Sequence, residues 1–380
     1  MPPSVNQSKF EEVMNRLTDK YGGAVRAVTP EKHKSAFHIR RPTGIMSVDS
    51  QLMGGWPGGS IIQVHGPDGI GKDALINLTM AENQRLYGDE SFMFWCSFGY
   101  QADLDFMRLC GMQIAYSDQE LQMMDIDPDE ATPEQRGSTT GRIVFLELGD
   151  VEEAASAPAE TIMEGVIELV NSGIFQVGLI NELGSGETRD NVVKELHEDV
   201  KIATWSRLMS QFCTRWYTTI RRALPTGEPN LTTLGVINPV RANLNSYTAK
   251  FKPTIATSGH ALEHAKAVDL HLKPTGVVKK GQNRIGKTVG WKIAKGKHGM
   301  PEGAEGEYDW IDGVGVDLVK DLCTVANEYG VVQQRGKNYT IQGYEDKIEG
   351  GLAGVVEFVR ERPELQPVIR EATYAALSGR

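Results

Sequence analysis

Two eight-residue stretches carry, wholly or nearly, the spacing of a phosphate-binding loop: GPDGIGKD at 66–73 and GQNRIGKT at 281–288. The chemistry of such a loop is mostly backbone chemistry. N–H groups of the loop and of the next helical turn converge on phosphate oxygens, the helix dipole adds positive potential, and the lysine reaches the β- and γ-phosphates. A buried strand must lead in and a helix must lead out. GQNRIGKT fits every fixed position, but PTGVVKK precedes it and the alternating VGWKIAKGK follows, so it reads as a hairpin turn entering a strand. GPDGIGKD misses the last position, where Asp73 replaces Ser or Thr, yet apolar IIQVH leads in and ALINLTMAENQ leads out at helical period. The imperfect match is therefore the nucleotide cradle: Gly66, Pro67, Asp68, Gly69, Ile70, Gly71, Lys72, Asp73 and Ala74. Asp73 puts a carboxylate where a neutral hydroxyl normally meets Mg2+. It would ligate the metal more strongly and repel the phosphates without it, so nucleotide binding should either depend steeply on metal or be weak.

The elements around this loop alternate. Strands are predicted at 60–66, 91–98, 142–148, 175–183 and 232–238, with helices at 74–88, 102–111, 159–172 and 190–223. This is the pattern of an α/β fold with a mostly parallel central sheet. Segments 267–273, 288–296 and 305–311 alternate in antiparallel style. A small α+β C-terminal unit follows, with helices at 315–329, 350–361 and 364–377 and a hairpin at 330–343. At the other end, Phe10, Val13, Met14, Leu17 and Tyr21 stripe one face of a helix over 8–21, and AVRAV (24–28) reads as a short strand. The acid-rich 117–140 reads as a surface loop or insertion. Domain boundaries are expected at 1–35, 36–312 and 313–380.

Composition narrows the classes. The 380 residues contain no apolar run long enough to span a bilayer and no signal-peptide core, so a cytoplasmic location with no membrane partner is expected. Cys96, Cys110, Cys213 and Cys323 are too scattered for a metal pair or a disulfide framework. Net charge is −10, yet residues 241–300 hold twelve Lys or Arg against Glu263 and Asp269. That block is a candidate surface for phosphates of a nucleotide or of DNA.

Taken together, the motifs resemble the RecA family of recombinases. The likeness is carried by HIRRPTGIMSVDSQLMGGWPGGSIIQVHGPDGIGKDALI, ADLDFMRLCGMQI, RLMSQ, GVINPVR, TSGHALEHAKAVDLHL, KIAKGKHGMP and the tail EYDWIDGVGVDLVKDLCTVANEYGVVQQRGKNYTIQG, all in family order. The resemblance implies a RecA-type core with an N-terminal docking helix and strand, ATP and Mg2+ as cofactors, self-association into a helical filament, and single-stranded DNA and homologous duplex DNA as partners. It implies adenine contacts from Asp103 and Phe106, and Lys295 and Lys297 reaching ATP across the subunit interface. Residues near 194–202 and 241–258 would form the DNA loops, with Arg241, Asn243, Lys250 and Lys252 as DNA-binding residues.

The departures from the family pattern matter as much. The Glu that activates the attacking water is replaced by Gly99, and the Walker B Asp by Asn181, with Glu182 adjacent as a substitute acid. The γ-phosphate-sensing Gln becomes Pro239, an interface Lys becomes Glu263, and Asp73 ends the loop. Loss of a positioned general base costs about 10²–10⁴-fold in rate. Two readings follow: a recombinase forming nucleotide-dependent filaments on single-stranded DNA with impaired ATP hydrolysis, or a catalytically inactive filament or accessory protein with a structural role.

Overall fold

The computed structural model describes residues 5–21, 39–98, 102–133, 135–136, 142–146, 159–192, 202–222, 224, 228–242, 254–256 and 259–378. The strand expected at 24–28 lies outside this set, as do Gly99, Asn243, Lys250 and Lys252.

After α1 (Val5–Tyr21), the core opens with β1 (Arg40–Arg41), α2 (Met46–Gln51) and β2 (Trp56–Pro57), where β1 and β2 pair antiparallel. Then come β3 (Ile61–Gly66), α3 (Lys72–Tyr87), β4 (Phe92–Ser97), α4 (Leu104–Leu109), α5 (Asp118–Met123), β5 (Arg142–Leu146), α6 (Ala159–Ser172), β6 (Val177–Asn181), α7 (Arg189–Val192), α8 (Ile202–Arg221) and β7 (Thr233–Ala242). Of the helix expected at 190–223, the described residues form α7 and α8; residues 193–201 lie outside the described set. β8 (Thr254–Ala256), α9 (Gly259–Ala265), β9 (Val268–Lys280), β10 (Asn283–Gly296), β11 (Glu305–Ile311) and β12 (Gly315–Val316) complete the core.

The main path of the ten-stranded sheet runs β12-β11-β10-β9-β3-β7-β6-β4-β5, and β8 pairs with β7. From β9 to β5 neighbouring strands are parallel; from β9 to β12 they are antiparallel. The strands IIQV, FMFWC and VGLI are apolar at nearly every position because both faces are covered. Ile62, Val64 and Met93 pack with α3 residues Leu75, Ile76 and Met80. Ile61, Phe94 and Ile180 face α6 and α8 through Val166, Met209 and Trp216. The four cysteines are buried thiols outside any disulfide. Among the described residues, no helix is long and apolar enough to cross a membrane.

The C-terminal elements are α10 (Leu318–Glu328), β13 (Val332–Arg335), β14 (Asn338–Ile341), β15 (Tyr344–Ile348), α11 (Gly351–Arg360) and α12 (Leu365–Ser378). They share a third apolar cluster that takes in Met46 from α2. Polar bonds continue this junction: Tyr374 donates to Asp49 at 2.6 Å, the Ser47 N–H to Asp321 at 3.1 Å, and Arg370 to Glu82 at 2.7 Å.

The acidic 117–140 segment is not a plain loop. Ser117 and Glu120 form a capping box that starts α5. Arg108 pairs with Glu120 at 2.7 Å and lies 4.0 Å from the Tyr116 ring centroid, while Arg136 bonds Asp118 at 2.9 Å. Through its bond to Arg108, the Glu120 carboxyl falls to about 2. The acids here are held by local arginines and by helix N–H groups, so a composition that reads as solvated folds instead into a capped turn of helix.

Candidate nucleotide-binding site

The loop sits where β3 ends and α3 begins, between two parallel neighbours. Gly66 pairs with Pro239 of β7, and a β-carbon at Gly66 would lie 2.6 Å from the Leu272 carbonyl oxygen of β9. Only glycine admits that approach. Gly71 precedes α3 at φ 97°, in the left-handed region, and no side chain caps the helix there. An uncapped helix start leaves first-turn N–H groups for an anion. Lys72 folds back over the loop, donating to the carbonyls of Gly66 at 3.1 Å and Pro67 at 3.0 Å and pairing with Asp68 at 3.4 Å.

Asp73 turns into the same helix start, where its Oδ1 accepts from the Ala74 N–H at 3.1 Å. Burial raises its pKa against the pull of that N–H and of Lys72, and Asp103 pushes it further up. The carboxylate therefore competes with phosphate for a first-turn donor unless a cation or a proton neutralises it.

Asp103 and Phe106 come to the loop together. Asp103 is the N-cap of α4 and accepts from the Phe106 N–H at 2.9 Å, and its charge reaches Asp73. The half-buried Phe106 ring lies 6.1 Å from Trp310 of β11 at an interplanar angle of 34°. Trp310 was not picked out by sequence; the signal was an aromatic inside the alternating EYDWI, which reads equally well as core.

The perfect motif, GQNRIGKT, is a hairpin turn as expected: β9 and β10 pair up to Lys280 and Asn283. Its lysine nevertheless serves the other loop. Lys287 donates to the Gly69 carbonyl and lies 5.9 Å from the Trp310 ring centroid.

Lys295 and Lys297 take another course, donating to the Glu263 and His264 carbonyls at the end of α9. They meet a helix C-terminus, where cations are favoured, and not the phosphate loop of their own chain. Glu263 pairs with Lys266 at 2.7 Å; Lys266 is fully buried and also bonds Asp269 at 2.6 Å and Gln63 at 3.1 Å. Asp269 accepts from His65 at 2.7 Å, and the His65 ring stacks on His271 at 4.7 Å.

Asn181 ends β6 with 2% exposure, paired across from Ser97. Glu182 follows at φ 51°, a left-handed conformation unusual for its type. Asn238 is fully buried within β7, level with His65, and neither polar atom of its side chain has a partner among the described residues. Its position was missed because an Asn ending an apolar strand is an ordinary sequence feature. Pro239 and Arg241 lie on β7 just beyond, with only their backbone described.

Among the described residues, no group of three or more His, Cys, Asp or Glu is arranged to hold a metal. A triphosphate with Mg2+ still fits this chain. The uncapped start of α3 and the ammonium groups of Lys72 and Lys287 suit a polyanion, and Asp73 is an oxygen donor suited to a hard divalent cation.

A strand–loop–helix cradle of this kind, on a mostly parallel sheet with an antiparallel extension, defines a core of RecA type. No family model matches the chain. Similarity to curated proteins runs along most of its length. The chain is 26% identical to Protein RecA of Syntrophus aciditrophicus over 87% of this chain and 82% of that one. It is 24% identical to Protein RecA of Nostoc sp. over 97% and 89%, and 27% identical to Protein RecA 2 of Myxococcus xanthus over 95% and 88%. A solved structure of the RadB recombinase aligns at 17% identity and a TM-score of 0.44, covering 73% of this chain and 98% of that one. The chain is a divergent relative of the RecA proteins.

Proposed function

We propose that the protein is a RecA-like recombination and repair protein. It binds ATP with Mg2+ on the 66–74 loop, assembles into a helical filament on single-stranded DNA, and promotes homologous pairing with duplex DNA while hydrolysing ATP slowly. The observation that carries this reading is the uncapped, left-handed start of α3 at Gly71, directly after a buried parallel strand, with two lysines turned onto the loop. The extent of the similarity to RecA proteins supports the recombination role. Bound Mg2+ would neutralise phosphate charge, with Asp73 as its protein oxygen; Lys72 would bind the phosphates, and Phe106 with Asp103 the base. In a filament, Lys295 and Lys297 would leave the α9 carbonyls for the nucleotide of a neighbouring subunit.

Asn181 and Gly99 stand where the relatives' pattern places acids, which supports a rate about 10²–10⁴-fold below that of a site with a positioned base. Slow turnover is compatible with pairing, because exchanging one duplex for another is close to balanced in base-pairing energy. A second reading, an inactive structural filament protein, is favoured by the same substitutions together with Pro239 and Glu263.

The test combines labelled single-stranded DNA with the protein, with and without Mg-ATP, at two salt concentrations, alongside phosphate release. Salt-sensitive, nucleotide-dependent DNA binding with little phosphate release is expected. DNA binding absent under every condition would favour the structural filament, and rapid turnover would defeat the assignment of Gly99 and Asn181.

A further inference from the structure

We propose that Lys287 is a second phosphate-binding lysine of the loop, acting in the same subunit as Lys72, and that it is present to offset the carboxylate of Asp73. The inference rests on the nucleotide reading of residues 66–74 and deepens it.

Lys287 comes from a distant part of the chain. It sits in β10, where the ladder sets it opposite Trp310 of β11 and Val277 of β9, and from there its side chain crosses to the Gly69 carbonyl. Gly69 lies at the turn of the loop at φ 67°, with nothing within 4 Å of the position a β-carbon would take. The ammonium group ends at the loop's rim, on the side of the tryptophan beside Phe106. Its contact is with a backbone carbonyl of the loop. A flexible four-carbon stem lets a lysine exchange a carbonyl for a phosphate oxygen without moving its strand.

Charge supplies the reason for a second lysine. The loop carries Asp68 and Asp73, and the Asp103 charge is close enough to act on Asp73. Lys72 is already shared with Asp68 and two carbonyls. With a neutral hydroxyl at position 73, one lysine suffices to make a loop attractive to a polyanion. With a carboxylate there, Lys72 alone leaves the rim net negative, and Lys287 restores the balance. Asp73 and Lys287 feel each other: burial lowers the Lys287 pKa, while Asp312 and Asp73 hold it up against Arg284. Lys287 is half-buried with its ammonium 5.9 Å from the Trp310 ring centroid, so the charge is less screened than that of a freely exposed lysine.

The purely structural alternative is that Lys287 only pins the Gly69 peptide. The two differ in what they do to phosphate as against base. The experiment titrates the full chain with a fluorescent ATP analogue in Mg2+, and displaces it with ATP and with adenosine. Lys287→Ala, and Lys287→Met with its retained stem, should each weaken Mg-ATP about tenfold, as for loss of a charge-assisted hydrogen bond, and leave adenosine displacement within about twofold. In an Asp73→Thr background the same Lys287 changes should cost at most about threefold, since the charge they offset is gone. Unchanged Mg-ATP affinity in both Lys287 variants, with binding lost in Lys72→Ala, would overturn the inference and leave the loop reading intact. Equal losses for ATP and adenosine would reduce Lys287 to a structural pin, and equal losses in both Asp73 backgrounds would remove the offset. Failure of the unaltered protein to bind the analogue, or indifference of binding to Lys72→Ala, would bring down the loop reading and this inference with it.

Discussion

Gly71 shows how much of the candidate site depends on single residues. At φ 97° a β-carbon costs about 1–2 kcal/mol from conformation alone, even though the nearest atom it would meet, the Ala74 β-carbon at 3.7 Å, leaves room. Gly71→Ala should therefore lower unfolding stability by about that amount and weaken Mg-ATP, with urea unfolding and nucleotide titration as the measurements. Equal stability would mean that the loop relaxes to another path. Asn238 makes the opposite case. A fully buried amide without partners among the described residues costs roughly 1–3 kcal/mol. Asn238→Leu, similar in size, should raise stability in the same urea experiment. A gain in stability accompanied by lost nucleotide-dependent DNA binding would mark the amide as a cost kept for function, next to Pro239 at the mouth of the loop.

At the scale of elements, the junction between the core and the C-terminal helices is held by acids in unusual states. Burial lifts the Asp49 pKa to about 7 despite the hydrogen bonds it accepts from Tyr374 and Thr43, and lifts that of Asp321 to about 6. Burial would also raise Glu82, but Arg85 and Arg370 hold it below the usual range. A carboxyl whose pKa is raised in the fold binds its proton more tightly there than in the unfolded chain. The stability it contributes is full below about pH 4 and is lost as pH rises through about 6 to 7. The melting temperature should therefore fall between pH 5 and 8, by an amount worth a few kcal/mol at most. Asp49→Asn should flatten the profile, and a profile unchanged by that substitution would place the titration elsewhere. These elements also show what sequence could and could not reveal. β3, α3, α6 and β7 were legible because their periodicity is local, and so was the strand–loop–helix setting of GPDGIGKD, because its flanking residues decide it. The capping box at Ser117 and Glu120 was legible in principle, but the acidic composition around it outweighed a four-residue signal. Lys287 was not legible as a partner of the loop. It meets Gly69 across 218 residues, and only the length and register of the β9–β10 hairpin bring them together.

Across the whole molecule, charge is separated more than the total suggests. The net −10 conceals the basic block at 241–300, and part of that block is the β9–β10 hairpin. Lys279 faces Arg284 and Lys280 faces Asn283 at its end, all exposed and beyond the last pairing of β10 with β11 at Gly286. Three cations on a projecting ribbon attract any polyanion, and on the proposed filament the polyanion is DNA. Their contribution would be electrostatic and independent of sequence, through release of counterions from the phosphates. Each phosphate contact on a single strand contributes roughly 0.7 to the slope of log affinity against log salt. Replacing Lys279, Lys280 and Arg284 together with Ser should therefore lower DNA affinity most at low salt and reduce the slope by up to about 2. Mg-ATP affinity should stay unchanged, since none of the three contacts the 66–73 loop in the structure. The comparison is a salt series of fluorescence anisotropy on labelled single-stranded DNA, run for both proteins with saturating Mg-ATP. An unaltered slope would show that the hairpin end faces away from the nucleic acid, leaving its phosphate contacts to the segment around 241–258.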